Sequence, residues 1–157
     1  METRYVTTLG KKKLEEELNE LMSKRSDIAR QIKEAREFGD LKENAEYAAA
    51  REAQNNLEIR VKEVEATLQN LTVFSYKTAN TSEVSLGSAV LVENMRTKKQ
   101  ETYVITGFME FDIEKNYISN ESPKGKALLG KKVGEVAIIK TPVNQIELKI
   151  LKISRAE

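Results

Sequence analysis

The fold is decided by the stretch REFGDLKENAEY, residues 36–47, because two long apolar seams meet there. The first seam advances by four and three residues in turn, with Arg25 as its one polar member: Leu14, Leu18, Leu21, Arg25, Ile28, Ile32 and Ala35. The second keeps these steps, with Gln54 as its polar member: Tyr47, Ala50, Gln54, Leu57, Val61, Val64, Leu68 and Leu71. Such alternation is typical of helices packed side by side. The sequence therefore predicts two packed helices.

The connection between the seams predicts an antiparallel hairpin. Phe38-Gly39-Asp40 leaves no room for a longer crossing, and Gly39 suits a left-handed C′ position that ends the first helix. Asp40 suits the N-cap of the second helix, and Glu43 three residues later would complete a capping box. At about 1.5 Å per residue, each arm of roughly 30 residues would reach about 45 Å. We expect a helical hairpin rod with a sharp tip.

The remainder of the chain is typical of a small sheet domain. Four segments are rich in β-branched residues and read as strands: 89–93, 102–106, 135–140 and 145–152. Ser122 followed by Pro123 and a closing Gly130 predicts one short helix between strands. The predicted fold class is α+β, with a coiled-coil hairpin over 1–75 and an antiparallel sheet with a short helix over 76–157.

The composition excludes several kinds of chemistry. The 157 residues are 39% apolar, carry 26 Lys and Arg against 25 Asp and Glu, and include no Cys, His or Trp. The chain therefore cannot hold a Ser-His-Asp nucleophile, a zinc finger or a disulfide. A net charge of +1 gives no bulk attraction to nucleic acid or to an anionic membrane. The longest aliphatic runs have four residues, far short of a bilayer span, so we expect a soluble cytoplasmic protein with no membrane partner.

The turn carries the one candidate for chemistry, the carboxylates of Asp40 and Glu43. One interpretation is a capping box that only starts the second helix. The other is a pair of anions presented to a metal ion, since both groups should be ionised at neutral pH. Mg²⁺ takes about six oxygen ligands, so two exposed carboxylates cannot hold it tightly. A partner would have to complete such a site.

Aromatic and basic residues near the turn leave two interpretations open. Phe38 and Tyr47 either pack against the hairpin end or contact a base or a partner. A possible basic strip would suit the phosphates of a nucleic-acid strand, although Lys and Arg are common on coiled-coil exteriors. The strip comprises Arg30, Lys33, Arg36, Lys42 and Arg51.

The run REFGDLKENAEY, followed by Ala49-Ala50-Arg51-Glu52, closely resembles the tip of bacterial transcript-cleavage factors of the Gre family, in the GreA rather than the GreB form. The resemblance extends over essentially the whole chain. Its further motifs are Thr8-Leu-Gly10, residues 14–18, Ser122-Pro123, Gly125, residues 128–130, Gly134 and residues 136–142.

The resemblance implies a function and a division of roles. Gre factors enter the secondary channel of a backtracked bacterial RNA polymerase tip first, while an FKBP-like domain stays at the channel rim. Asp40 and Glu43 would help the polymerase hold a second Mg²⁺ and position water for cleavage of the RNA 3′ end. By the same resemblance, Asp40 would contact the metal more directly, and the free protein would hold no metal tightly.

The resemblance also assigns supporting residues and partners. Arg36, Arg51 and Lys42 would face the RNA, while Gly39, Asn44 and Tyr47 would support the tip. The factor would act as a monomer and would stimulate the polymerase without catalysing the reaction itself. Nucleic acid, DNA included, would be met only within the elongation complex.

Other functions remain open on the sequence. An autonomous nuclease or prolyl isomerase is disfavoured, because two carboxylates make an incomplete metal site. A channel regulator that does not promote cleavage would share the hairpin. A chaperone-like coiled-coil module would expose apolar residues outside the seams, where this chain is mostly charged or polar.

Overall fold

Two long helices carry the predicted seams, α1 over Thr8–Arg36 and α2 over Ala45–Gln69. A computed structural model of the chain describes residues 3–37, 39 and 44–156. Within these residues, one compact unit spans 11–70, and a second comprises the described parts of 2–10 and 71–157. The predicted division put 1–10 with the helices, whereas the contacts group the described residues 3–10 with the sheet.

The seams are the buried faces of the helices, as predicted. Ala35, Leu57, Val61 and Val64 are almost fully buried, and Leu18 and Leu21 are half-buried. The second seam ends one step earlier than expected, because α2 stops at Gln69 and Leu71 begins a strand. Ion pairs show the relative direction of the helices. Glu17 of α1 pairs with Arg60 of α2, and Arg25, further along α1, pairs with the earlier residue Glu58. The helices are therefore antiparallel, which confirms the predicted hairpin.

Arg25, the polar member of the first seam, is an exposed residue that crosses to the other helix. Its Nε and Nη2 donate to the two carboxylate oxygens of Glu58 at 2.7 and 2.8 Å. Arg60 forms the same kind of pair with Glu17, at 2.7 and 2.9 Å. The hydrogen bond from Arg25 holds the pKa of Glu58 below its usual value. Paired forks of this kind fix the register of the two helices.

In the second unit, five strands pair with one another: β3 (Ser88–Asn94), β4 (Gln100–Thr106), β5 (Tyr117–Ser119), β6 (Val136–Lys140) and β7 (Gln145–Arg155). They form one sheet in the order β5-β4-β3-β7-β6. All four predicted strands are present, and neighbours are antiparallel except for the parallel pair β4–β5. The predicted helix is α3, Pro123–Leu128, with the Oγ of its N-cap Ser122 accepting from the Gly125 N–H at 3.1 Å. The expected fold class is thus confirmed.

The core of the second unit lies between one face of this sheet and α3. Its best-buried members are each 0% exposed: Val90, Ile105, Leu128, Ala137 and Ile150. The predicted alternation of buried and exposed side chains along β7 holds at Leu148 and Ile150. The next buried side chain is Ile153, three residues on instead of two. The cause is an irregularity in the β3–β7 register between Leu91 and Val92, since an extra residue on one strand moves later side chains to the other face.

Two short strands that the sequence analysis did not predict flank the helices along the chain. β1 (Arg4–Val6) pairs in parallel with β2 (Leu71–Val73). Beside them, the Glu110 Oε1 accepts from the Thr7 N–H at 2.8 Å and from the Thr7 hydroxyl at 2.7 Å. The backbone of Gly107 lies so close to β1 that a Cβ there would be 2.1 Å from the Tyr5 carbonyl oxygen. The first turn of α1 is therefore fixed by contacts from the β4–β5 connection.

We expect the buried seam to dominate the stability of the helical unit. Leu57→Ala removes a side chain that is 6% exposed, and the cavity should lower the free energy of unfolding by about 2–5 kcal/mol. Ile59→Ala on the same helix, where the side chain is 50% exposed, should change it by less than about 0.5 kcal/mol. Urea unfolding followed by far-ultraviolet circular dichroism measures both, and equal losses would contradict the seam assignment.

The Arg25–Glu58 pair should give a pH-dependent stability. Because folding lowers the pKa of Glu58, its contribution is full above the unfolded carboxyl pKa of about 4.3. It is lost as the pH falls through the lowered value. Glu58→Gln should therefore reduce the melting temperature at pH 7, and the difference from the unmodified protein should vanish between about pH 5 and pH 2.

The matched control for this pH series is Glu52→Gln, an exposed glutamate of the same helix that pairs with no described side chain. It should leave the melting temperature unchanged over the same range. A Glu58→Gln difference that persists at low pH would show that the ion pair is not its source.

Candidate functional site

The end of the hairpin lies between the last turn of α1 and the first turn of α2. The structure describes Glu37, Gly39 and Asn44 between the two helices. Gly39 has a φ of +116°, which side-chain-bearing residues rarely adopt, so the predicted need for glycine is confirmed. α1 ends at Arg36, earlier than a C′ position at Gly39 requires. Asp40, Lys42 and Glu43 lie outside the described residues, and their assigned roles stay predictions.

The N-cap of α2 is Asn44, so the prediction that Asp40 caps this helix is wrong. Asn44 has extended backbone angles, φ −83° and ψ 95°, and its Oδ1 accepts from the Tyr47 N–H at 3.0 Å. The helix starts at Ala45, which puts Tyr47 and not Glu43 at the N3 position of the predicted capping box. Asn and Asp are nearly equal as N-caps, so propensity could not separate positions 40 and 44.

Asn44 also reaches the other helix. Its Nδ2 donates to the carbonyl oxygen of Ala35, in the last turn of α1. That Asn44 supports the tip for function stays a prediction.

Arg36 and Tyr47 are brought together at this end. The guanidinium carbon of Arg36 lies 5.8 Å from the centre of the Tyr47 ring, within the range of a cation–π contact. Tyr47 is half-buried and Arg36 is exposed. The Tyr47 ring is therefore occupied by an arginine of its own chain.

The other described basic residues of the predicted strip, Arg30, Lys33 and Arg51, are exposed. Arg30 pairs with Asp27 at 3.3 Å, and Arg51 donates to the Gln54 Oε1 at 3.4 Å. A groove of about 350 Å³ lies between the helices at this end, and its lining includes two glutamates: Gln31, Glu34, Ala35, Glu46, Ala49 and Ala50. The groove side is thus acidic, so any phosphate contact falls to the arginines outside it.

The described residues offer no metal site of their own. Within 3–37, 39 and 44–156, no three Asp or Glu side chains come close enough to hold an ion. Two further carboxylates from Asp40 and Glu43 would still leave about four of the six positions around Mg²⁺ unfilled. A shared Mg²⁺ at these two carboxylates stays a prediction.

A second candidate surface is an apolar groove in the second unit. Its volume is about 650 Å³, and it lies among the β4–β5 connection, β5, α3 and the sheet edge. Phe111 is 58% exposed and Ile113 81% exposed at this groove. The sequence analysis missed it, although four large apolar residues in the loop 107–116 were a usable signal.

Charged groups border this apolar groove. The Arg4 guanidinium donates to both carboxylate oxygens of Glu121, at 3.0 and 2.9 Å, and stacks 3.7 Å from the centre of the Phe108 ring. Lys124 is a further charged residue of the groove lining, and its Nζ donates to the Tyr103 hydroxyl at 3.1 Å. An apolar floor with a charged border is typical of a protein-binding surface.

The Tyr103 hydroxyl in turn donates to the Glu101 Oε2 at 2.5 Å. Burial and this carboxylate raise the pKa of Tyr103, while the hydrogen bond from Tyr103 lowers the pKa of Glu101. At neutral pH the phenol is therefore protonated and the carboxylate ionised. Neither group is tuned for proton transfer near neutrality, so this cluster is structural.

No helix in the described part of the chain combines the length and the apolar character needed to span a bilayer.

Comparisons with known proteins cover almost the whole chain. A family model described as "Transcription elongation factor, N-terminal" matches residues 4–73, and one described as "Transcription elongation factor, GreA/GreB, C-term" matches residues 79–155. Transcription elongation factor GreA of Amoebophilus asiaticus is 46% identical over 151 residues, or 96% of each chain. The protein of the same name from Caldanaerobacter subterraneus subsp. tengcongensis has the same identity and coverage.

Solved structures are more distant. Gfh1 of Thermus thermophilus, titled GreA factor homolog 1, is 24% identical with a TM-score of 0.45, covering 98% of this chain and 99% of its own. Gfh1 of Thermus aquaticus is 25% identical with the same TM-score and coverage. The family models and the 46% identical relatives settle the membership: the chain belongs to the GreA/GreB family of transcription elongation factors and is of the GreA type.

Proposed function

We propose that this protein binds bacterial RNA polymerase and inserts its hairpin end into the secondary channel. There it stimulates the polymerase's own cleavage of the RNA 3′ end in a backtracked complex, which rescues arrested transcription. The observation that carries the proposal is the GreA-type match over both units, together with the carboxylates Asp40 and Glu43 in the sequence that connects two long helices. The protein acts as a monomer in the cytoplasm and meets nucleic acid within the elongation complex.

Asp40 and Glu43 act as the reactive carboxylates of this site. A second Mg²⁺ shared with the polymerase would activate a water for hydrolysis of the phosphodiester. In this proposal Asp40 binds on the metal side and Glu43 orients the water. The requirement for a partner follows from the donor count, because two carboxylates fill about a third of the Mg²⁺ coordination shell.

The arginines at the hairpin end serve the RNA side of the site. Arg51 is exposed, and among the described residues its guanidinium donates to a neutral group, the Gln54 Oε1, so its charge is available to a phosphate. Arg36 lies over Tyr47 and is exposed, so it can exchange the ring for a phosphate at little cost. Lys42 completes this basic set.

The apolar groove of the second unit docks the factor to a helical element at the channel rim. A groove with exposed Phe111 and Ile113 and charged borders suits the apolar face of an amphipathic helix. A chaperone-like role is less well supported. In the described parts of α1 and α2, the large exposed apolar side chains are single and separate: Leu9, Met22 and Ile59.

Removing the acidic charges should abolish stimulation and spare binding. Asp40→Asn and Glu43→Gln should each lower RNA cleavage in a stalled, backtracked complex by about 10- to 100-fold or more, because amides are poor Mg²⁺ ligands. Both variants should compete for polymerase as well as the unmodified protein does. Short 3′ fragments released from labelled RNA are the readout.

The matched control is Glu37→Gln, which removes one nearby exposed carboxylate outside the proposed pair. It should retain cleavage. RNA that is cut by the protein without polymerase would indicate an autonomous nuclease. Binding without stimulation by the unmodified protein would instead indicate a regulator that only occupies the channel.

A charge placed in the apolar groove should weaken docking. Ile113→Asp should lower the affinity for purified polymerase by at least about tenfold, because a carboxylate there would be desolvated against apolar groups. Val133→Asp changes another exposed apolar residue of the same unit, 57% exposed and outside the groove, and should leave the affinity unchanged. Fluorescence anisotropy of a labelled factor measures both. Equal losses would remove the groove from the docking surface.

A further inference from the structure

We infer that Lys124 is the specificity-determining charge of the apolar groove, and that the helix docked there carries a carboxylate facing this lysine. The inference rests on the proposed docking to polymerase and names the chemistry of the partner surface. The docked helix should have an acidic side chain beside its apolar face.

Two of the charged residues that line the groove neutralise each other. The Arg4 guanidinium donates to both carboxylate oxygens of Glu121, at 3.0 and 2.9 Å. A paired fork of this kind leaves little charge for a partner. Lys124 also lines the groove, and it makes no ion pair with a carboxylate in the described part of the chain. The groove therefore presents a positive charge that is not compensated.

Glu101 does not cancel the charge of Lys124, because its carboxylate has other partners. One oxygen accepts from the Tyr103 hydroxyl at 2.5 Å, and the other lies 3.4 Å from the Lys99 Nζ. The Tyr103 hydrogen bond and Lys99 each lower the pKa of Glu101 more than Lys124 does. Two lysines therefore share one carboxylate, and a net positive charge remains on the side of Lys124.

The Lys124 side chain is held in place before any partner arrives. It is half-buried, its Nζ donates to the Tyr103 hydroxyl at 3.1 Å, and the same atom lies 4.8 Å from the centre of the Tyr103 ring. Tyr103 is 6% exposed, so the group that holds the ammonium is itself fixed. An ammonium has three donors, and the described hydrogen bond uses one of them. The other two can bind a carboxylate with little loss of side-chain freedom.

A carboxylate on the partner completes the match with the groove. A helix that buried only apolar groups against Phe111 and Ile113 would remove water from Lys124 without replacing its hydrogen bonds, which is costly. A carboxylate beside the apolar face removes this cost. A helix with Lys or Arg at that place is rejected, because like charges face to face are strongly unfavourable. Lys124 thus selects among amphipathic helices.

The affinity experiment reverses the charge at two positions of α3. Lys124→Glu should lower the affinity for purified bacterial RNA polymerase by at least about tenfold, because it places a negative charge opposite the inferred carboxylate. The matched control is Lys126→Glu, an exposed lysine of the same helix outside the groove, which should change the affinity by less than about twofold. Fluorescence anisotropy of a labelled factor measures both. The inference is overturned if Lys124→Glu keeps the affinity or if both variants lose it equally.

Lys124→Met separates the charge of this residue from its packing. Met keeps an unbranched stem and removes the ammonium, so the affinity at low salt should fall by about threefold or more. The difference from the unmodified factor should shrink as the ionic strength rises from about 0.05 M to about 0.5 M, since salt screens a charge at the border of an interface. A loss of the same size at high salt would come from distorted packing and would contradict the charge role.

A crosslinking experiment identifies the partner group directly. A carbodiimide joins a lysine amine to a carboxylate in contact with it, and mass spectrometry of the digested complex locates the joined pair. Lys124 should be joined to an Asp or Glu of the polymerase. Links from other lysines of the factor with none from Lys124 would count against the inference.

The outcomes separate this inference from the proposed function. If the unmodified factor does not bind polymerase, the proposed function is wrong and the inference is wrong with it. If Ile113→Asp weakens binding and Lys124→Glu does not, docking through the groove stands and the acidic partner group is wrong. If neither variant weakens binding, the groove is not the docking surface.

Discussion

The parallel pairing of β1 with β2 is the constraint that brings the two chain ends of the helix pair together. β1 lies just before the two helices in the chain and β2 just after them. Their three residues pair one to one, Arg4–Val6 with Leu71–Val73. The strand residue Val6 is fully buried, and α1 begins two residues after it. Parallel strands need a long connection between them, and here that connection is the entire helix pair. The two helices must therefore leave and return at one place.

Within the helix pair, the buried apolar side chains give stability, and the ion pairs between the two helices fix which residues lie opposite one another. Val61 and Val64 contribute burial that would be similar if one helix slid by a turn. The forks from Arg25 to Glu58 and from Arg60 to Glu17 tolerate no such slide, because each needs two parallel hydrogen bonds. Position 25, which looked like a defect in the seam, is where the pairing of the helices is specified.

The sequence predicted the parts of the fold that have a local period. The seams identified both helices, and runs of β-branched residues identified β3, β4, β6 and β7 within a few residues. The three-residue strands β1, β2 and β5 were missed because three residues are too few to show a period. The Glu101–Tyr103–Lys124 cluster was missed because Lys124 meets the other two residues only in the folded chain. The apolar groove did have a local signal, the apolar residues of the loop 107–116, which the sequence analysis did not use.

For the site, the sequence identified residue types better than it identified their roles. The acidic pair and its supporting residues came from one specific motif, and the structure adds the Arg36–Tyr47 and Ala35–Asn44 contacts around it. The capping role moved from Asp40 to Asn44 because both residue types start helices equally well.

The close approach at Gly107 has a consequence for how the sequence can evolve. Gly107 lies in the connection between β4 and β5, and connections of this kind usually tolerate sequence changes. Yet any side chain would displace the Tyr5 backbone, and with it the strand that leads into α1. Position 107 therefore accepts only glycine, whereas a core position filled by an aliphatic residue accepts several residue types.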